Sequence, residues 1–225
     1  MFGALVNFLS DSIQFFYNIT VSLGIPNYGI AILFFTIVIK IILFPLTATQ
    51  ARSMKKMQEI QPKIKEMQEK YKKDPQKAQQ KIMELYQQEK INPFGGCLPL
   101  LVQMPILIAL FNSLRTFFDP VRHPEYVNLE HASFLWVPNL GSPDPWLLPI
   151  LAGLFTFLQS RVSMGNSNDQ TQKTMLYVMP LMMAWFARSF PAGLSLYWVM
   201  YSIMSALEQW FIRRTPSGVK KEEVA

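Results

Sequence analysis

Three groups of polar residues stand where apolar ones are expected, and they are where this chain could do chemistry. Lys40 interrupts the apolar run 28–46, six residues before its end. Six helical residues rise about 9 Å, so the ammonium group lies inside a membrane if that run crosses one. A lysine at mid-span costs about 2.5–3.5 kcal/mol on insertion scales, unless its long stem carries the charge to the headgroups. Thr36 lies one turn before Lys40, Thr47 two turns after it, and Gln50 three residues further on roughly the same face. In the opposite direction that face continues as Ile32 and Leu33. The polar stripe therefore opens toward one end of the helix only. A second apolar stretch closes with Thr156, Gln159, Ser160 and Ser163, and a third carries Trp198, Ser202, Ser205 and Glu208 or Gln209 at spacings of three and four.

Small hydroxyl residues are also ordinary packing groups between membrane helices. Three stripes that open to the same side, one of them with a lysine, point further. They predict a wet cavity in one half of a bilayer, closed at the far side and lined by a positive charge. Such a cavity would draw in a polar, preferably acidic, segment and shorten the remaining apolar barrier, with no covalent step. An enzyme within the membrane has little to work with, because both histidines lie in one loop and no Asp lies in an apolar run. Cys97, His123 and His131 are not spaced to hold a metal, and one cysteine forms no internal disulfide. Gly95 and Gly96 lack the GK[ST] of a phosphate loop and read as a turn. No cofactor is expected. A small-solute transporter also uses an intramembrane lysine, but related halves and an outward polar stripe are missing. A structural subunit of another complex is the remaining alternative.

The elements that must position these stripes follow from charge and hydropathy. The chain has 225 residues, half of them apolar and 16% charged, with a net charge of +6. The charge is unevenly spread: residues 51–90 hold 17 charged positions and residues 94–114 none. That pattern excludes an ordinary soluble globule and predicts an all-α polytopic membrane protein with a cytosolic insert. Five spans are expected, at 25–50 (apolar part 28–46), 94–118, 146–162, 174–189 and 190–212. Pro99 and Pro105 should kink the second, while Pro180 and Pro191 should shape a helix or its end. The uncharged parts of the third and fourth spans are short, which implies tilt, snorkelling or a thinned bilayer. Seventeen Lys/Arg fall in 47–93, 163–173 and the basic tail 213–225 together with Arg161; the opposite side has only Arg115, Arg122 and Arg188. The basic side is cytosolic by the positive-inside rule, so the N-terminus is outside and the C-terminus inside. Residues 119–145 form the outer loop, with Trp136 and Trp146 as interface anchors.

Residues 1–24 carry Asn7, Asp11, Gln14 and Asn18 at helical spacing. They read as an amphipathic helix, in the membrane interface or packed on the protein's own spans. No cleavable signal peptide is expected there. Residues 51–93 read as a cytosolic helical hairpin. Met57, Ile60, Ile64, Met67 and Tyr71 form a two-helix seam, Asp74 and Pro75 start the return helix, and Ala78, Ile82, Leu85 and Glu89 continue it. Either the seam accounts for these residues, or the methionines Met54, Met57, Met67 and Met83 offer adaptable contacts to hydrophobic partners. The eleven basic charges of the insert suit anionic lipid or ribosomal RNA.

Three segments in order, TIVIKIILFPLTATQARSMKKMQEIQPKI, INPFGGCLPLLVQMPILIALF and FPAGLSLYWV, closely resemble the YidC family of membrane protein insertases over about 25–212. The form without a large outer domain is similar to the Gram-positive type. The resemblance implies an insertase and chaperone of the bacterial plasma membrane. It would receive nascent single- and double-spanning membrane proteins in a cytosol-open groove and release them laterally, alone or beside the Sec translocon. The hairpin would receive substrate and meet the ribosome or targeting machinery; DNA is not a partner. Residue by residue, Lys40 matches the family's groove arginine, Thr36 the polar position one turn earlier, Gln159 the groove glutamine and Trp198 the aromatic of the fifth span. Lysine in place of arginine keeps charge but loses the rigid fork, and a buried lysine can shed its proton. Glu208, at a similar depth, is the expected charge partner of Lys40.

Overall fold

The computed structural model describes residues 2–89, 91, 98–164 and 170–214. The described residues fold into eight α-helices: α1 (Phe2–Ser22), α2 (Tyr28–Glu59), α3 (Gln61–Lys70), α4 (Pro75–Gln88), α5 (Leu98–Phe117), α6 (Leu147–Met164), α7 (Gln170–Ala187) and α8 (Ala192–Arg214). Most of the described residues of the five apolar stretches read from the sequence fall on helices, on α2, α5, α6, α7 and α8. By length and composition α2 and α6 are long and apolar enough to cross a membrane. The outer surface is inside-out for a water-soluble protein. On α7 it shows Met175, Tyr177, Val178, Leu181, Met182, Trp185 and Phe186, with Leu181 72% exposed. Such a continuous apolar face fits a helical membrane protein.

Helix α2 starts at Asn27, whose side chain accepts the Ile30 N–H at 3.1 Å. It does not stop where hydropathy falls. The expected boundary at residue 50 is corrected, because the helix runs through Pro45 and on to Glu59. Residues 51–59, ARSMKKMQE, are mostly strong helix formers, so propensity carries the helix past the change from apolar to charged. Pro45 has no N–H for the Ile41 carbonyl. The Thr49 hydroxyl donates to the Pro45 carbonyl, and the Leu43 and Phe44 carbonyls are alternative acceptors for the Thr47 hydroxyl around the same turn. The break comes instead at Ile60, two residues before Pro62, which cannot donate to the Gln58 carbonyl.

The hairpin is therefore α3 and α4 alone, with Met54 and Met57 on the end of α2. Asp74 caps α4 by accepting the Lys77 N–H at 3.0 Å, and Pro75 takes the first helical position. Ile60, Ile64, Leu85 and Ile91 form its small core. Pro105 lies inside α5, but Pro99 sits in the first turn, where proline starts a helix and does not kink one. Gly95, Gly96 and Cys97 lie outside the described residues, as do Lys220 and Lys221.

Helix α1 lays one face on the bundle and leaves Phe2, Phe8, Phe15 and Val21 exposed on the other. Leu9, Ile13, Tyr17 and Thr20 are buried against α2 and α5. Tyr17 stacks on Tyr28 with ring centres 3.9 Å apart, and Tyr28 meets the edges of Phe117 and Phe118 at 5.4 and 5.3 Å. The segment 119–145 is an ordered cap over this end. Phe134 and Val137 exchange backbone bonds, and the Leu140 N–H reaches the Ala132 carbonyl. The N–H groups of Ala192 and Gly193 donate to the carbonyls of Ser142 and Leu140 at 2.9 and 2.8 Å. The cap thus satisfies two of the four donors that the first turn of α8 leaves open. Asp144 does the same for α6, accepting the N–H groups of Trp146 and Leu148 on one oxygen and the Trp136 indole on the other. Gly29 is required here: a Cβ at this position would stand 2.2 Å from the Phe134 ring. Asp119 accepts the N–H groups of Val121 and Arg122, and these bonds hold its carboxyl below the ordinary carboxylate range.

A polar cavity between three helices

Away from the cap, α2 and α8 lie side by side and α6 packs on α8. The helices bring polar stripes to the same level because each has one face of small or hydroxyl side chains, so the backbones can approach closely. Gly153 shows the same economy between α6 and α7, where a Cβ would come within 3.0 Å of Ala184.

Lys40 is 4% exposed, and its side chain points into this seam. Its Nζ donates to Glu208 Oε2 at 2.7 Å and to Ser205 Oγ at 3.0 Å. It also lies over the Tyr201 ring, 4.8 Å from the centroid. The Glu208 side chain is 8% exposed, and its other oxygen accepts the Thr47 hydroxyl. The ion pair therefore joins α2 to α8 and carries no net charge as a unit. Desolvating two ions costs several kcal/mol each, which a short geometry with further hydrogen bonds from Ser205 and Thr47 offsets in part. Such a pair is weak evidence for stability and stronger evidence for a working site.

Beside the pair is a cavity of about 50 Å³ lined by Lys40, Thr47, Gln50, Met54, Gln159 and Glu208, among others. At roughly 15 Å³ each it has room for about three waters. Three buried polar atoms have no hydrogen-bond partner among the described residues: Gln50 Nε2, Gln209 Oε1 and Ser202 Oγ. Gln50 and Gln209 both line the cavity. Buried amides are nearly always bonded, so this cluster is set for water or a guest.

The structure thus brings Lys40, Thr47, Gln50, Gln159, Ser205 and Glu208 together and places the others nearby. Thr36 is fully buried, but its hydroxyl bonds back to the Ile32 carbonyl of its own helix. Trp198 donates its indole N–H to Thr156 Oγ1 at 2.9 Å, a link from α8 to α6 outside the cavity lining. Ser202 is buried between these layers on α8. Met54 lines the cavity and accepts from Ser163 at 3.8 Å. Met57 and Met67 pack half-buried on the hairpin core, and Met83 is exposed. Sequence reasoning missed Tyr201, although it lies four residues before Ser205 on the same helical face.

A sequence model described as 60Kd inner membrane protein matches residues 19–220. The chain belongs to this family. A relative in Fusobacterium nucleatum is 43% identical over 209 residues, covering 92% of this chain and 96% of its own length. One in Caldanaerobacter subterraneus is 42% identical over 199 residues, with 88% and 91% covered. One in Geobacter sulfurreducens is 38% identical over 218 residues; 96% of this chain matches only 38% of that longer protein. All three are named membrane protein insertase YidC. As a member of the 60 kDa inner membrane protein family, the chain is a bacterial inner membrane protein.

Proposed function

We propose that this chain is a membrane protein insertase without covalent chemistry of its own. It receives hydrophobic segments of nascent single- and double-spanning proteins in the polar cavity at Lys40 and releases them sideways into lipid. The observation that carries this reading is the buried Lys40–Glu208 pair beside unpartnered amides, set between helices whose outer faces are apolar. The name borne by relatives of nearly the same length supports it. In this reading α2, α5, α6, α7 and α8 cross the bilayer, the N-terminus lies outside, and the hairpin and C-terminus lie in the cytoplasm. The cap at 119–145 closes the outer side, so the polar space opens inward only. Met83 and the basic residues of the hairpin form the surface for substrate, ribosome, targeting machinery and anionic lipid, with the Sec translocon as an optional neighbour.

The test is reconstitution of the full chain in vesicles. A short single-span test protein should become protected from external protease only when this chain is present. Lys40→Ala should lower protection more for acidic translocated tails than for neutral ones. Solute or ion flux without protection of the test protein would instead support a transporter.

A further inference from the structure

Lys40 borders the cavity but already holds a carboxylate. An ammonium group has three donors and no acceptor. One donor of Nζ is taken by Glu208 and one by Ser205, and the Tyr201 ring covers a further side. Glu208 is held at both oxygens, with Lys40 on Oε2 and the Thr47 hydroxyl on Oε1. A substrate acid that seeks the short ion pair with Lys40 therefore competes with the carboxylate already there, and among the described residues that carboxylate is Glu208.

We propose that Glu208 is a built-in competitor for acidic substrate, holding the Lys40 site closed until a carboxylate of the incoming chain takes its place. This rests on the insertase reading above. At Lys40 itself the exchange keeps charge and hydrogen bonds balanced. One carboxylate leaves Lys40 and another arrives, so no bare ammonium is exposed to a low-dielectric environment. The cavity also supplies the groups the exchange needs. Gln50 Nε2 is an unpartnered donor in the same lining, and Gln50 is 5% exposed. It can take one oxygen of the second carboxylate while two acids share the space. Glu208 lies six residues before the end of α8, so once released it has a short path toward the end of the bundle that carries the hairpin. A segment with no acid gains nothing at Lys40 from displacing Glu208. Glu208 would thus set how strongly the protein prefers acidic tails, while Lys40 provides the attraction.

The test uses the full chain in vesicles and two single-span test proteins that differ only by Asp or Asn in the translocated tail. The readout is the ratio of protease-protected Asp protein to protected Asn protein. Glu208→Gln should raise that ratio about three- to tenfold over the unaltered chain, the range that one charge-assisted hydrogen bond commands. Lys40→Gln combined with Glu208→Gln should bring it to about one, because the attraction is then gone. Thr47→Val keeps the ion pair but frees one oxygen of Glu208. It should raise the ratio less than Glu208→Gln, and it serves if that variant unfolds. An unchanged or lower ratio in folded Glu208→Gln, or in Thr47→Val where Glu208→Gln does not fold, would overturn the proposal while leaving the insertase reading standing. Protection of neither test protein by the unaltered chain would overturn both.

Discussion

At the capped end of the bundle the Tyr28 hydroxyl accepts the Asn128 N–H and donates to Gln14, and Tyr17 bonds His131 at 2.5 Å. Asp144 takes three donors at once. At the hairpin end, Gln50, Gln209 and Ser202 each hold a buried polar atom with no partner among the described residues. The two ends draw on similar residue types but finish them differently. A satisfied polar network fixes one arrangement, whereas a partly satisfied one leaves donors and acceptors in reserve. In the proposed reading the capped end is a seal and the hairpin end a receptacle.

The contrast can be broken most severely at Lys40. Lys40→Met leaves Glu208 buried without its partner and should lower unfolding stability by about 3–5 kcal/mol, the usual cost of removing one member of a buried pair. Glu208→Leu added to it should restore most of that loss. Thermal unfolding in detergent reads both, and a double variant as weak as the single would show that the two charges do not act as one unit. At the other end, Gly29→Ala forces a methyl group into the Phe134 ring. A loss of about 1–3 kcal/mol is expected from overpacking, with the protected fraction per folded molecule unchanged. A drop in insertion larger than the drop in folded protein would mean that the cap takes part in transfer.

The polar stripes were legible because helical spacing repeats within a short window. Lys40, Thr47 and Gln50 announce a face by themselves, and Ser202, Ser205 and Glu208 another. The cap was not legible. Residues 119–145 read only as an outer loop with two tryptophan anchors, since its fold depends on distant partners: Gly29 for Phe134, and the first turn of α8 for Leu140 and Ser142. No local period encodes those contacts. The end of α2 was misplaced for a related reason. Hydropathy reports the solvent around a helix, while the helix itself follows backbone propensity to the next proline that can stop it.

Two smaller changes sharpen the contrast because they should differ in sign. Asp144→Ala removes acceptors from the first turn of α6 and should cost about 1–2 kcal/mol. Ser202→Ala removes a buried hydroxyl that has no partner, so it should be neutral or stabilise by up to about 1 kcal/mol. Paired melting curves decide the matter. Equal losses in both variants would show that Ser202 is bonded after all, by water or by a group that moves.

Helix α2 also has a mechanical meaning. Its 32 residues join the base of the hairpin to the turn that holds Lys40 without a loop between them. From Glu59 back to Lys40 is about 28 Å of rod at 1.5 Å per residue. Pro45 is the proline inside it and offers no N–H to the Ile41 carbonyl. A load applied to the hairpin therefore arrives at the ion pair as leverage, and Pro45 is where the lever would flex.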